Sequence, residues 1–85
     1  MAFFVYIIYN QPNDIYYIGQ TANFKNRLAR HNNGMSPYTS RYHPWTAKCI
    51  ITKETRGEAM ILERKLKNLN RQKLLKFIKK YGLNE

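Results

Sequence analysis

Tyr6, Tyr17, Arg27, His31 and Glu63 are the side chains of this 85-residue sequence whose types and spacing could do chemistry together. Tyr6 lies in Val5-Tyr6-Ile7 and Tyr17 in Tyr17-Ile18-Gly19, two apolar runs separated by the turn formers Asn10-Gln11-Pro12-Asn13-Asp14. With a side-chain period of two, an antiparallel hairpin can put both phenols on one surface as a cross-strand pair. Strands are also commonly rich in tyrosine, and seven are present. Arg27 and His31 are four apart, so on a helix they share a face one turn apart. Such a pair suits a phosphodiester, because a guanidinium grips phosphate oxygens bidentately and an imidazole relays a proton near neutral pH. Taken alone, the same two residues read first as ordinary solvated surface. Glu63 adjoins Leu62 near an apolar stripe, where a carboxylate is costly unless it has a partner or a metal; an ion pair with Lys67 at i+4 is the plainer reading.

The elements that must hold these residues follow from pattern. Residues 3 to 9 and 15 to 20 are β-branched and aromatic, and read as the hairpin. Thr21 or Asn23 can cap a helix of about three turns with apolar positions Phe24, Leu28 and Ala29, closing near Asn32-Asn33-Gly34. Residues 35 to 47, with Ser36-Pro37 and His43-Pro44, read as an ordered loop anchored by Tyr38, Tyr42 and Trp45. Residues 48 to 53 read as a third strand. From Gly57 onward Ala59, Leu62, Leu66 and Leu69 share a helical face, and after a break near residues 68 to 70 Leu74, Leu75, Ile78 and Tyr81 repeat the pattern. The expected order is β-β-α-β-α-α.

A chain of this length buries only roughly 60% of the surface its unfolded form exposes, enough for one domain spanning residues 1–85 and no cofactor-binding second module. Fifteen Lys and Arg against five Asp and Glu give a net charge of +10 on a chain that is 44% hydrophobic, so the charge sits on a folded body and calls for a partner. The single cysteine, Cys49, allows no internal disulfide, and no Cys/His cluster offers a zinc site. The apolar N-terminal run is too short to span a bilayer and carries no signal-peptide pattern, so the expected location is cytoplasmic.

Together the residues resemble the GIY-YIG nuclease superfamily over essentially the whole chain. The Asn23-Phe24-Lys25-Asn26-Arg27-Leu28 run, His31-Asn32-Asn33-Gly34, Tyr38-Thr39, Pro44-Trp45 and Glu58-Ala59-Met60 further resemble its small standalone bacterial members, which are related to the N-terminal nuclease domain of an excinuclease. The resemblance implies an α+β sandwich, a three-stranded antiparallel sheet flanked by helices, and metal-dependent hydrolysis of DNA phosphodiesters, in repair or recombination. It implies that Tyr6 acts as general base or positions the attacking water, and that Tyr17 lines the site. Arg27 would stabilise the transition state, His31 would assist proton transfer, and Glu63 would hold one Mg²⁺ or Mn²⁺. Gly19 would let substrate approach the backbone. Five acids in the chain suit one metal better than two. Two positions depart from the pattern: Phe4 stands where the family name has Gly, and no Asn falls at the family's late position, since Asn68 and Asn70 come too early.

Arg71, Lys73, Lys76, Lys79 and Lys80 could track a phosphate backbone, or form a solvated helix face. Tyr38, Tyr42 and Trp45 could stack on bases, but plugging a small core is the preferred reading. Two functions remain in view. One is an endonuclease acting on DNA that is branched or damaged, with targeting supplied by another protein; the other is a nucleic-acid-binding module of the same fold that does not cut.

Overall fold

The computed structural model describes residues 2–34 and 39–83. Its elements run β1 (Phe3–Asn10), β2 (Ile15–Thr21), α1 (Phe24–Asn32), a 3-10 turn (Thr39–Arg41), β3 (Thr46–Lys53), α2 (Arg56–Lys67) and α3 (Arg71–Tyr81). The strands form one antiparallel sheet in the order β2-β1-β3. The fold is therefore α+β in the expected order, with helices on both faces of the sheet.

β1 is the central strand, which explains why its sequence is a continuous apolar run instead of an alternating one: Val5, Tyr6, Ile7 and Ile8 are all buried. Alternation then sends them to two cores. Val5 and Ile7 join Ile18 and Cys49 beneath Ala59, Leu66 and Leu74 of α2 and α3. Tyr6 and Ile8 join Trp45, with Tyr17, Phe24, Leu28 and Tyr42 packed against them. α1 thus covers one face of the sheet, and α2 and α3 the other. Cys49 is buried and unpaired, and burial pushes its thiol pKa up, away from reactivity.

The helix starts follow a single rule. Asn23, Thr55 and Asn70 each hold extended backbone and accept the N–H three residues on, capping α1, α2 and α3. Of the two cap candidates for α1, Asn23 takes the role, and Thr21 Oγ1 instead accepts the Asn23 N–H at 3.1 Å. Gly34 has φ 72°, the left-handed conformation expected of a residue that stops a helix.

β3 starts two residues earlier than the sequence pattern suggests. Thr46 and Ala47 pair with Tyr9 and Ile8, and a bulge opposite Ile7/Ile8 separates them from Cys49, which pairs with Ile7. The extra residue of the bulge interrupts the alternation by which a strand is read from sequence. Tyr38 and the Ser36-Pro37 step lie outside the described residues. Trp45 is 3% exposed in the Tyr6 core, so it plugs that core.

Candidate active site

The register sets the position of the two tyrosines. Tyr6 pairs with Gly19 and Ile8 with Tyr17, so the phenols share a face but are diagonal neighbours, with ring centroids 6.5 Å apart. The residue directly opposite Tyr6 has no side chain, and the phenol fills that space: a Cβ at Gly19 would come within 2.7 Å of Tyr6 Cζ. The expectation that Gly19 leaves room for substrate is thus corrected, because Tyr6 occupies the room.

α1 lies over this face through Phe24 and Leu28 and brings His31 down onto the sheet. Tyr6 Oη is 3.0 Å from His31 Nε2, and Thr39 Oγ1 is 2.7 Å from His31 Nδ1. All three residues are at most 1% exposed. Tyr17 meets the imidazole edge-on at a 5.1 Å centroid distance, and Trp45 lies 6.4 Å away on another side. Tyr17 is half-buried, and so is the more accessible of the two phenols.

Burial pushes the Tyr6 phenol pKa well above its ordinary value; the phenol of Tyr17 and the carboxylate of Glu63 add to the rise and the guanidinium of Arg27 opposes it. The His31 pKa is held below its ordinary value by burial first, then by Arg27 and Arg30. At neutral pH the pair is therefore a phenol and a neutral imidazole. Arg27, at the half-exposed edge of α1, is close enough to act electrostatically on both.

Glu63 comes from α2, which packs against the other face, yet its charge reaches Tyr6. Its side chain is 20% exposed and pairs with Lys67 at 3.0 Å, the i,i+4 pair the sequence offers. A cavity of about 280 Å³ lined by Met60, Glu63, Arg64, Lys67 and Asn68 opens beside it. No group of three His, Cys, Asp or Glu able to cage a metal occurs among the described residues. One carboxylate next to open space nevertheless fits Mg²⁺ or Mn²⁺, because Mg²⁺ keeps several waters and takes one or two carboxylates plus substrate phosphate oxygens.

The cations of α3 are elsewhere. Leu74 anchors α3 in the Val5/Ile7 core, so exposed Lys73, Lys76, Lys79 and Lys80 lie on the helix covering the sheet face opposite Tyr6 and His31. Arg71 does not stand with them. Its Nη2 pairs with Asp14 Oδ1, which also accepts from Tyr9 Oη at 2.7 Å, and its guanidinium stacks 5.3 Å from the Tyr16 ring. It ties the hairpin turn to the start of α3.

The residues that sequence reasoning missed are those that hold the loop after α1. Asn32 Oδ1 accepts the Trp45 N–H at 2.6 Å and its Nδ2 donates to the Trp45 carbonyl at 3.3 Å. Asn10, fully buried, donates to the Pro44 carbonyl at 3.1 Å. Two asparagines beside a turn and at a helix end read as local formers in sequence, and nothing in their spacing signals partners 13 and 34 residues away.

The α+β fold is the one the sequence resemblance implies, and it holds a buried phenol–imidazole pair within electrostatic reach of Arg27 and Glu63. The family comparison agrees: the GIY-YIG catalytic domain matches residues 2–79, and the chain belongs to that nuclease family. The fold is similar to the solution NMR structure of the UPF0213 protein BH0048 from Bacillus halodurans, with a TM-score of 0.65 and 26% identity over 96% of this chain and 87% of that one. None of the curated proteins matches the sequence. Among the described residues, no helix is long and apolar enough to cross a membrane.

Proposed function

We propose that the protein is an endonuclease that hydrolyses DNA phosphodiester bonds with one divalent ion, using Tyr6, Tyr17, Arg27, His31 and Glu63. The observation that carries this reading is the 3.0 Å contact between Tyr6 Oη and His31 Nε2, with Arg27 and Glu63 in electrostatic reach of it, in a chain of a nuclease family.

A buried phenol with a raised pKa is a poor source of phenolate. The contact with His31 removes the need for one. As Tyr6 Oη takes a proton from the attacking water, it passes its own to Nε2, so charge appears on the imidazole and never accumulates on the phenol. Tyr17, the more accessible phenol, meets His31 edge-on and lines the site. Arg27 supplies fixed donors for the non-bridging oxygens as their charge grows. Glu63 would hold Mg²⁺ or Mn²⁺ once Lys67 turns away. The bound ion supplies charge neutralisation at the phosphate and leaving oxygen.

The test incubates the protein with supercoiled plasmid, linear duplex and branched oligonucleotides in Mg²⁺, Mn²⁺ or chelator, beside Tyr6→Phe, Arg27→Ala and Glu63→Gln variants. Cutting by the wild type that needs the metal, and a loss of about 10² or more in each variant, is the expected result. Binding without cutting on every substrate would convert the reading to a nucleic-acid-binding module.

A further inference from the structure

We propose that Thr39 is a positioning residue for His31, holding the imidazole in the tautomer whose Nε2 is free to take the Tyr6 proton. The proposal rests on the reading of Tyr6 and His31 as the proton-transfer pair, and its observations are geometric.

His31 is fully buried, so each ring nitrogen must find its partner inside the protein. Nε2 faces Tyr6 Oη at 3.0 Å and Nδ1 faces Thr39 Oγ1 at 2.7 Å. Both facing hydroxyls can donate or accept, and the phenol is intrinsically the more acidic of the two, so we assign Tyr6 as the donor and Nε2 as the acceptor. The single proton of the neutral ring then sits on Nδ1, where Thr39 Oγ1 accepts it. When the Tyr6 proton moves to Nε2, the imidazolium has two N–H donors, and both already face an oxygen. No atom has to be rearranged.

The hydroxyl is held by the same helix that carries the imidazole. The Thr39 carbonyl accepts the Trp45 Nε1–H at 3.3 Å and the Tyr42 N–H at 3.1 Å. Asn32, next to His31 in α1, grips Trp45 by both backbone groups. The last turn of α1 thus fixes both ends of the Thr39–His31 contact. The other groups facing the ring are Tyr6 and Tyr17 from the sheet, Arg27 and Arg30 from α1, and Trp45 from the loop. Tyr6 is the donor to Nε2, Tyr17 and Trp45 meet the ring through their aromatic faces and edges, and the two arginines are cations that disfavour the imidazolium. The group that faces Nδ1 is Thr39 Oγ1.

Removing only the hydroxyl, as in Thr39→Val, leaves Nδ1 without an acceptor. The neutral ring then gains by moving its proton to Nε2 and donating to Tyr6, which blocks the transfer. The ¹⁵N ring shifts of His31 read this directly and need neither metal nor substrate. The expected result is an Nδ1–H tautomer in the wild type and in Thr39→Ser, and a shift toward Nε2–H in Thr39→Val and Thr39→Ala. With a cleavable DNA, kcat falls by at least about tenfold in Thr39→Val with KM unchanged, and Thr39→Ser recovers most of it. An unchanged tautomer and kcat in Thr39→Val overturn the proposal alone; an Nε2–H tautomer in the wild type overturns it together with the Tyr6-to-His31 proton transfer, while the cleavage assay separately decides whether the protein cuts DNA. A wild type that cuts nothing overturns the nuclease reading, and the ring shifts still decide the placement of the proton.

Discussion

Glycine 19 is defined by what lies on it. Tyr6 is 1% exposed, its ring stacks 5.2 Å from Phe24 and 5.8 Å from His31, and its phenol rests where a Gly19 Cβ would be. The ring has nowhere to move, so Gly19→Ala should cost about 1–3 kcal/mol in urea unfolding through overpacking. The same change should pull Oη off His31 Nε2, so that any activity falls further than stability does. His31 gives a pH prediction. Its folded pKa lies below the ordinary ~6.5, so the unfolded chain binds the proton more readily. Stability from the neutral ring is complete above about pH 6.5 and is lost as pH falls through the depressed folded value. Melting temperature should therefore drop below about pH 6.5, and His31→Gln should flatten that part of the curve. The full burial of His31 was hidden by a spacing to Arg27 that reads as solvated surface, while strand alternation made it legible that Tyr6 and Tyr17 share a face. The burial of Thr39 and Asn10 was not legible, because each is covered and bonded by residues of other elements.

Elements were legible where local chemistry decides them. The β-branched and aromatic runs, the turn at residues 11–14 and the three capped helices all form from neighbouring residues. The link from α1 to β3 was read only as an anchored loop, because its order comes from side chains bonded across the fold. Asn32 is the main tie: it satisfies both backbone groups of Trp45, and through Trp45 the carbonyl of Thr39. Asn32→Ala leaves the buried Trp45 N–H without its partner, at a cost of about 1–3 kcal/mol. Trp45 is the single tryptophan of the chain, so its emission reports the link alone. It should shift to the red in Asn32→Ala under native conditions, while far-ultraviolet circular dichroism, set by the helices and sheet, stays unchanged. An unshifted emission would place the anchor of the loop elsewhere.

For the whole molecule, two sets of helix cations lie on opposite faces of the sheet. Arg27 and Arg30 lie on α1, above the phenol–imidazole pair, while Lys73, Lys76, Lys79 and Lys80 lie on α3 across the sheet. The chain spans only about 30 Å in its longest direction, so a bound nucleic acid that curves or branches can touch both sides at once. The two sets of cations then have separable effects. A lysine that meets only phosphates away from the scissile bond binds ground state and transition state equally, and its loss raises KM without lowering kcat. It also releases fewer counterions, and the slope of log K against log salt falls by about 0.9 for each duplex phosphate given up. Replacing the four α3 lysines by Gln should therefore weaken DNA binding at fixed salt and flatten the salt dependence by up to about 3 to 4 in slope, with kcat within about twofold of the wild type. Arg71→Gln belongs to a different class, because its guanidinium is held by Asp14 and Tyr16: it should loosen the hairpin turn against α3 and leave the salt slope unchanged. If the lysine variant instead lowers kcat at constant KM, then α3 acts on the transition state.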